Sequence, residues 1–289
     1  MFILQFAQLI LASFFAGAVG SLVGLGGGII VVPVMTLFLH IDFRTAAGAS
    51  IIAVIATSSG SAAAYVRDKL ANIRVGIFLE IFTALGAICG AMLVGYIHSD
   101  LLYIIFALVL FYSIVPTTRK IVLGMRGRRA TDDGSSTVKP DRIAMALRLD
   151  GAYYDPSLSQ TVSYRLHNVP FGAGIMYIAG LASGLLGIGS GVFKVLAMDS
   201  VMGMPIKSST ATSNFMIGVT AAASAGIYFS RGDIDPFVAA PVALGVLAGS
   251  LIGARILPKI AGAGIRIGFL VVIAVIGVQM LLRGFGIGR

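Results

Sequence analysis

Two glycine-rich runs hold the groups best placed to do chemistry: Gly24-Leu25-Gly26-Gly27-Gly28 and Gly187-Ile188-Gly189-Ser190-Gly191. Each interrupts a long apolar stretch. In hydrocarbon, an unpaired backbone N–H or C=O costs several kcal/mol unless protein, water or solute satisfies it. Helical segments restarting at Gly28 and Gly191 would point their N-terminal amides and positive dipole ends inward. Two such ends facing each other form a donor-rich pocket suited to an anion with several acceptor oxygens. The other reading of glycine, close helix packing, fits the isolated Gly86, Gly90, Gly249 and Gly253. A dinucleotide loop is excluded, because neither run follows a soluble strand.

Hydroxyl residues stand beside the breaks. Ser50, Thr57 and Ser61 lie at i, i+7 and i+11, on one helix face, and Ser213, Thr220 and Ser224 repeat the pattern. Thr212 and Asn214 flank Ser213, and Asn214 stands where the first copy has Ile51. Taken singly, such hydroxyls suit interhelical hydrogen bonds. Taken as paired stripes, Ser50, Thr57, Thr212, Ser213 and Asn214 suit contacts to a solute. Charges inside spans cost ~2.5–3.5 kcal/mol at mid-helix, so each needs a reason. Lys194, three residues past the second run, reads as a cationic anion-binder with Asp199 as its partner. Glu80 has two readings, a coupling-proton carrier or an interfacial ion pair with a loop base.

The elements that must position these residues come in two copies. The runs lie 163 residues apart, and the same offset pairs Gly17 with Gly180, Ser50 with Ser213, Thr57 with Thr220, Tyr65 with Tyr228 and Gly86 with Gly249. The expected organisation is a first transmembrane repeat at 1–118, an inter-repeat loop at 119–168 and a second repeat at 169–289. In the first copy the helices are expected at about 3–23, 28–40, 44–66, 73–97 and 101–118. In the second they are expected at about 170–187, 191–203, 207–230, 236–258 and 264–283. The segments at 28–40 and 191–203 are too short to cross a bilayer unaided.

Composition sets the class. Of 289 residues, 57% are hydrophobic and 11% charged, with a mean hydropathy of +0.97. Stretches without charged residues cover 1–41, 45–66, 81–99, 101–118, 171–193, 208–230 and 267–282, and several reach the ~20 residues that span a bilayer core. The chain therefore reads as an all-α, polytopic protein of the cell (inner) membrane. No basic residue precedes Arg44, which argues against a cleaved signal peptide. The net charge of +9 does not imply nucleic acid, because nine of the 21 basic residues fall between Arg119 and Arg165. That concentration reads as a cytoplasmic loop resting on anionic headgroups. Within the loop, Arg126–Arg129 form a basic cluster, Thr131–Thr137 a linker, and Pro140–Leu149 a short amphipathic helix. The single cysteine, Cys89, permits no intrachain disulfide and reads as packing.

Charge also orients the copies. The loop with Arg67, Asp68, Lys69 and Arg74 is net positive, and its counterpart with Arg231, Asp233 and Asp235 is net negative. The turn at His98 and Asp100 is net negative, and its counterpart with Arg255, Lys259 and Arg266 is net positive. This reversal predicts inverted repeats with both termini outside.

On these residues the chain resembles the TauE/SafE sulfite exporter family of membrane permeases. The resemblance rests on Gly24–Gly28 with Pro33, Ala47–Ser61, Tyr65, Asn72 and Gly86–Ala91. In the second copy it rests on Gly187–Gly191, Thr210–Asn214, Tyr228, Asp235 and Gly249–Ala254. It implies transport of small sulfur-containing anions, such as sulfite or organosulfonates, driven by an ion gradient and not by ATP. Two residues depart from the pattern: Ser190 replaces a glycine, and Leu196 stands where a proline is usual. The second broken helix is accordingly expected to be straighter than the first.

The resulting expectation is a secondary transporter working by alternating access. Its partners are a small anion, the lipid bilayer and a coupling proton or cation, with no cofactor and no metal. An anion channel and a non-catalytic membrane assembly partner remain as alternatives, and a homodimer stays open. An intramembrane enzyme is disfavoured, because His40, His98 and His167 fall at span ends or loops and the spans hold no paired aspartates.

Overall fold

A computed structural model describes residues 2–23, 28–125, 141–155, 160–260 and 263–287. Gly24, Gly26 and Gly27 lie outside these residues, as do Arg126–Arg129 and Thr131–Thr137. The side chains of Ser61, Tyr65, Arg255, Lys259 and Arg266 are likewise not described.

The first half contains α1 (Phe2–Val23), α2 (Gly28–Pro33), α3 (Phe43–Arg67), α4 (Ile73–Val94) and α5 (Ser99–Met125). A linker follows with α6 (Arg142–Ala146), β1 (Gly151–Asp155) and β2 (Gln160–Tyr164). The second half contains α7 (Val169–Leu186), α8 (Gly191–Leu196), α9 (Ile206–Ser230), α10 (Pro236–Ile260) and α11 (Ala263–Gly284). Local chemistry marks several boundaries. The Asn72 side chain accepts from the Val75 N–H at 3.2 Å and so starts α4. Pro236 opens α10, where its missing N–H costs nothing.

These helices show no amphipathic stripe of the kind that seats a helix on a soluble core. Leu11, Phe15, Ile77, Leu108, Ile178 and Leu244 are all more than half exposed, so the outer surface is apolar. Such a surface is solvated by lipid, not water. Ile73–Val94 and Val169–Leu186 satisfy both length and hydropathy for a membrane span, and six shorter apolar stretches accompany them among the described residues. At 1.5 Å per residue, a helix of 22 residues covers about 33 Å, enough for the hydrocarbon core.

The contacts repeat at the 163-residue offset. Helix α1 packs on α10, and α4 packs on α7; α3 lies against α9, and α5 against α11. A Cβ built on Gly86 would lie 2.1 Å from the Tyr177 carbonyl oxygen, and one on Gly249 would lie 2.0 Å from that of Phe14. Gly17 meets Val246, and Gly180 meets Thr83, in the same reciprocal way. Each pair becomes the other when the halves are exchanged. The loops obey the same rule. His40 and Gly203 both have positive φ, and the Ile41 N–H donates to Met35 as the Met204 N–H donates to Met198.

Helices α3 and α9 run antiparallel, and so do α5 and α11. Gly48, near the start of α3, abuts Asp233, just past the end of α9. Ser208, near the start of α9, donates to the Leu70 carbonyl just past the end of α3 at 3.0 Å. Gly284 and Asp100 pair opposite ends of α11 and α5 in the same manner.

Two expectations need correction. The second broken helix is not straighter: α2 and α8 each span six residues and continue into five-residue π-helical turns, Val34–Phe38 and Ala197–Val201. The turn therefore does not depend on Pro33, since Leu196 occupies the same place. The linker is also not purely helical. The expected 140–149 helix shrinks to Arg142–Ala146, and an antiparallel hairpin pairs Gly151 with Tyr164. Tyr153, Val162, Tyr164 and Leu149 pack with Val75, Leu79, Met198, Met202 and Met216 into a second core. Asn72 holds the hairpin in place, donating to the Leu149 carbonyl and the Tyr164 hydroxyl, both at 3.0 Å. Burial pushes the Tyr164 phenol up from its ordinary pKa, so it stays protonated there.

Candidate functional site

Helix α7 ends where the Gly187 N–H donates to the Ser183 carbonyl at 2.8 Å. Gly187, Gly189 and Ser190 then adopt φ of +69°, +74° and +49°. Glycine enters this left-handed region without penalty, and serine pays for it. The chain thus turns sharply before α8 begins at Gly191. Among the described residues, the N–H groups of Gly189 and Ser190 take no part in the backbone hydrogen bonds of this turn.

The two breaks meet. A Cβ on Gly28 would lie 2.9 Å from Ser50 Oγ and 3.1 Å from the Gly187 carbonyl oxygen. Ser50 donates to that same carbonyl at 2.8 Å. Its counterpart Ser213 donates to the Gly191 carbonyl at 3.2 Å. Both serines are buried, and both hold carbonyls of the second break. Ser190 differs, because its hydroxyl is only 3% exposed and has no hydrogen-bond partner. It borders a cavity of about 10 Å³ lined by Ile29 of α2, by Ile188 and Ser190–Phe193 at the second break, and by Val109 and Ser113 from α5. Phe193 stacks on Tyr112 of α5 with centroids 5.1 Å apart. The cavity has room for about one water, so a sulfite-sized anion enters only if the halves part.

One helical turn beyond Ser190 lies Lys194, fully buried. Its Nζ donates to Thr220 Oγ1 at 2.5 Å and stands 3.7 Å from Glu80 Oε2. Thr220 Oγ1 in turn lies 2.6 Å from Glu80 Oε1 and 2.9 Å from the Met216 carbonyl. Glu80 belongs to α4 in the first half, and Lys194 and Thr220 to α8 and α9 in the second. The ion pair therefore ties the halves together. The structure joins Lys194 to Glu80, while Asp199 sits in the π-helical turn that follows. The loop-base reading of Glu80 also falls away, since Arg74 donates instead to the Arg148 carbonyl at 3.4 Å.

The remaining predicted contacts separate. Thr57 donates back to the Ala53 and Val54 carbonyls at 3.0 and 3.2 Å. Thr212 accepts from the Asn72 N–H at 2.9 Å, at the α3–α4 loop and away from the break. Asn214 donates to the Thr210 carbonyl at 3.0 Å. The structure thus gathers Gly28, Ser50, Gly187, Gly189, Ser190, Gly191 and Ser213 at the breaks, with Lys194 and Glu80 a turn away. Sequence reasoning did not single out Thr220 as the bridge between the charges. The signal was present: two opposite charges inside spans of different copies must find each other across a shared helix.

A model of the family described as "Sulfite exporter TauE/SafE" matches residues 9–280. The probable membrane transporter protein YunE of Bacillus subtilis is 26% identical over 97% of this chain and 99% of its own. YdhB of the same organism, also a probable membrane transporter protein, is 26% identical over 87% of this chain and 91% of its own. MJ0441 of Methanocaldococcus jannaschii, named likewise, is 25% identical over 97% of both chains. No solved structure matches. With nearly its whole length matched, the two broken helices included, the chain belongs to the TauE/SafE sulfite exporter family.

Proposed function

We propose that this chain is a multi-pass secondary transporter of the inner membrane that moves a small sulfur-containing oxyanion, sulfite or a sulfonate, by alternating access. The carrying observation is the meeting of the two breaks, with Gly28 against the Gly187 carbonyl and an unpartnered Ser190 hydroxyl beside it. The amides of Gly24–Gly28 and of Gly187, Gly189, Ser190 and Gly191 supply donors, Ser50 and Ser213 hold the Gly187 and Gly191 carbonyls, and Lys194 supplies charge. Thr57, Thr212 and Asn214 set the helix positions around the pocket. Glu80 carries a coupling proton, and Asp199 is a second acidic group on the path. The relatives' printed names, all membrane transporters, agree with this reading.

Two inverted repeats provide the moving parts. The opposite directions of α3 and α9 and the reversed loop charges support that arrangement. The hairpin linker contacts the loop holding Lys69 and Arg74 at one end of the bundle, which agrees with a shared cytoplasmic side and with both chain ends outside. The narrow cavity corresponds to an occluded state.

Purified protein in liposomes should exchange labelled sulfite for unlabelled sulfite, at rates set by conformational steps on the μs–ms scale. Absence of exchange with sulfite, sulfonates and thiosulfate alike would overturn the proposal. Flux faster than about 10⁴ per second would indicate a channel instead.

A further inference from the structure

We propose that Lys194 is a shared cation: the Glu80 carboxylate and the transported anion hold it in turn, so that one proton binds Glu80 for each anion that binds Lys194. This deepens the transport reading above and rests on it.

The 163-residue relation supplies the first argument. The positions equivalent to Lys194, Thr220 and Glu80 are Val31, Thr57 and Ala243. The same helices thus meet in the other half without either charge, and Val31 is buried there. The fold does not need an ion pair at this junction. Burying two charges carries a large desolvation cost, and apolar replacements are often neutral or stabilising. Charges kept inside a span under those terms point to function.

The hydrogen bonding is the second argument. Thr220 has one proton to donate and two acceptors within reach, Glu80 Oε1 at 2.6 Å and the Met216 carbonyl at 2.9 Å. With Glu80 ionised, Thr220 donates to it. When a proton from the aqueous phase binds Glu80 Oε1, that new O–H donates to Thr220, and Thr220 turns its own proton to Met216. Oε1 therefore keeps Thr220 as its partner in both protonation states. The new O–H is the one covalent bond that forms on the protein.

The third argument is how loosely the charges are held. The separation of 3.7 Å between Nζ and Oε2 exceeds the span of a charge-assisted hydrogen bond, and Glu80 Oε2 has no hydrogen-bond donor. Protonated Glu80 leaves the ammonium held by Thr220 Oγ1 alone. Its flexible stem, which starts one turn from Ser190 and the breaks, carries it to the anion once that bond is given up. The helices packed around the pair carry few other titratable groups. These are Arg74 and Cys89 on α4, Tyr177 on α7, Asp199 in the π-helical turn, and Lys207 and Tyr228 on α9.

The test uses the full chain in liposomes with labelled sulfite, an imposed proton gradient, and sulfite–sulfite exchange as the gradient-free control. Wild-type uptake should rise several-fold with the gradient. Glu80→Gln should keep exchange but ignore the gradient. The double variant Glu80→Gln with Lys194→Met, checked for folding by thermal unfolding, should lose sulfite flux. Restored gradient-driven flux in that double variant would mark the pair as structural and overturn the inference. So would a wild type that exchanges sulfite yet ignores the gradient, a result that needs no variant and leaves the transport reading standing. A wild type unable to exchange any of the anions tried overturns both.

Discussion

Around Thr220 the second half sets Lys194 against Glu80, whereas around Thr57 the first half sets Val31 and Ala243 at the related positions. Much that builds the frame is duplicated, including the glycine contacts of Gly86 and Gly249 and the π-helical turns. The two charges are not duplicated, and neither is the Ser190 hydroxyl, which stands where the first half has Gly27. Symmetry serves the packing of the frame. The departures from symmetry lie on the side where the proposed anion site sits.

The largest effect should come from splitting the charged pair. Lys194→Met leaves Glu80 buried without its cation, which should cost about 3–5 kcal/mol. Chemical unfolding in detergent would measure it, with anion flux lost in whatever protein folds. A Val31→Met change at the related position replaces one apolar side chain by another and should cost less than about 3 kcal/mol. Equal losses at the two positions would erase the proposed asymmetry.

The frame should respond evenly. Gly86→Ala and Gly249→Ala each drive a methyl to within 2.1 and 2.0 Å of a neighbouring carbonyl oxygen, so each should destabilise by about 1–3 kcal/mol. A large difference between their unfolding midpoints would break the equivalence of the α4–α7 and α1–α10 contacts.

Smaller effects sharpen the contrast at the breaks. Ser50→Ala and Ser213→Ala each strip a hydroxyl from a buried carbonyl and should cost about 1–3 kcal/mol. Ser50 should cost more, since its bond is 2.8 Å against 3.2 Å. Ser190→Gly should act in the opposite direction, relieving the left-handed backbone and removing an unpartnered hydroxyl. A gain of about 1 kcal/mol in stability is expected, with weaker anion binding as the accompanying loss.

Much of this architecture was legible because apolar runs and their interruptions are written at the scale of whole helices. The expected spans at 73–97, 207–230 and 236–258 correspond to α4, α9 and α10, since few alternatives satisfy the backbone in lipid. The hairpin at 151–164 was not legible. Among the described side chains, its five-residue strands carry Tyr153, Val162 and Tyr164 as inward groups, and the polar linker gave no periodic signal. The π-helical turn of the second half was obscured by expecting Pro33 to cause the bend. At the site, Ser50 and Ser213 were found because a seven-residue spacing keeps a face. Thr212 and Asn214 were misplaced because each neighbour of Ser213 is turned by about 100° around the helix. The Lys194–Glu80 pairing joins residues from separate halves, and no local spacing encodes it.

The most direct test of the account is the stabilisation that sulfite confers on wild-type protein and on Ser190→Gly, followed by thermal unfolding in detergent with chloride as the reference anion. Ligand at about 100 times its dissociation constant should stabilise the wild type by about 2.7 kcal/mol. The account predicts that Ser190→Gly, already more stable without ligand, loses most of that increment. An undiminished increment in Ser190→Gly would contradict it and move the anion site away from the meeting of the two breaks.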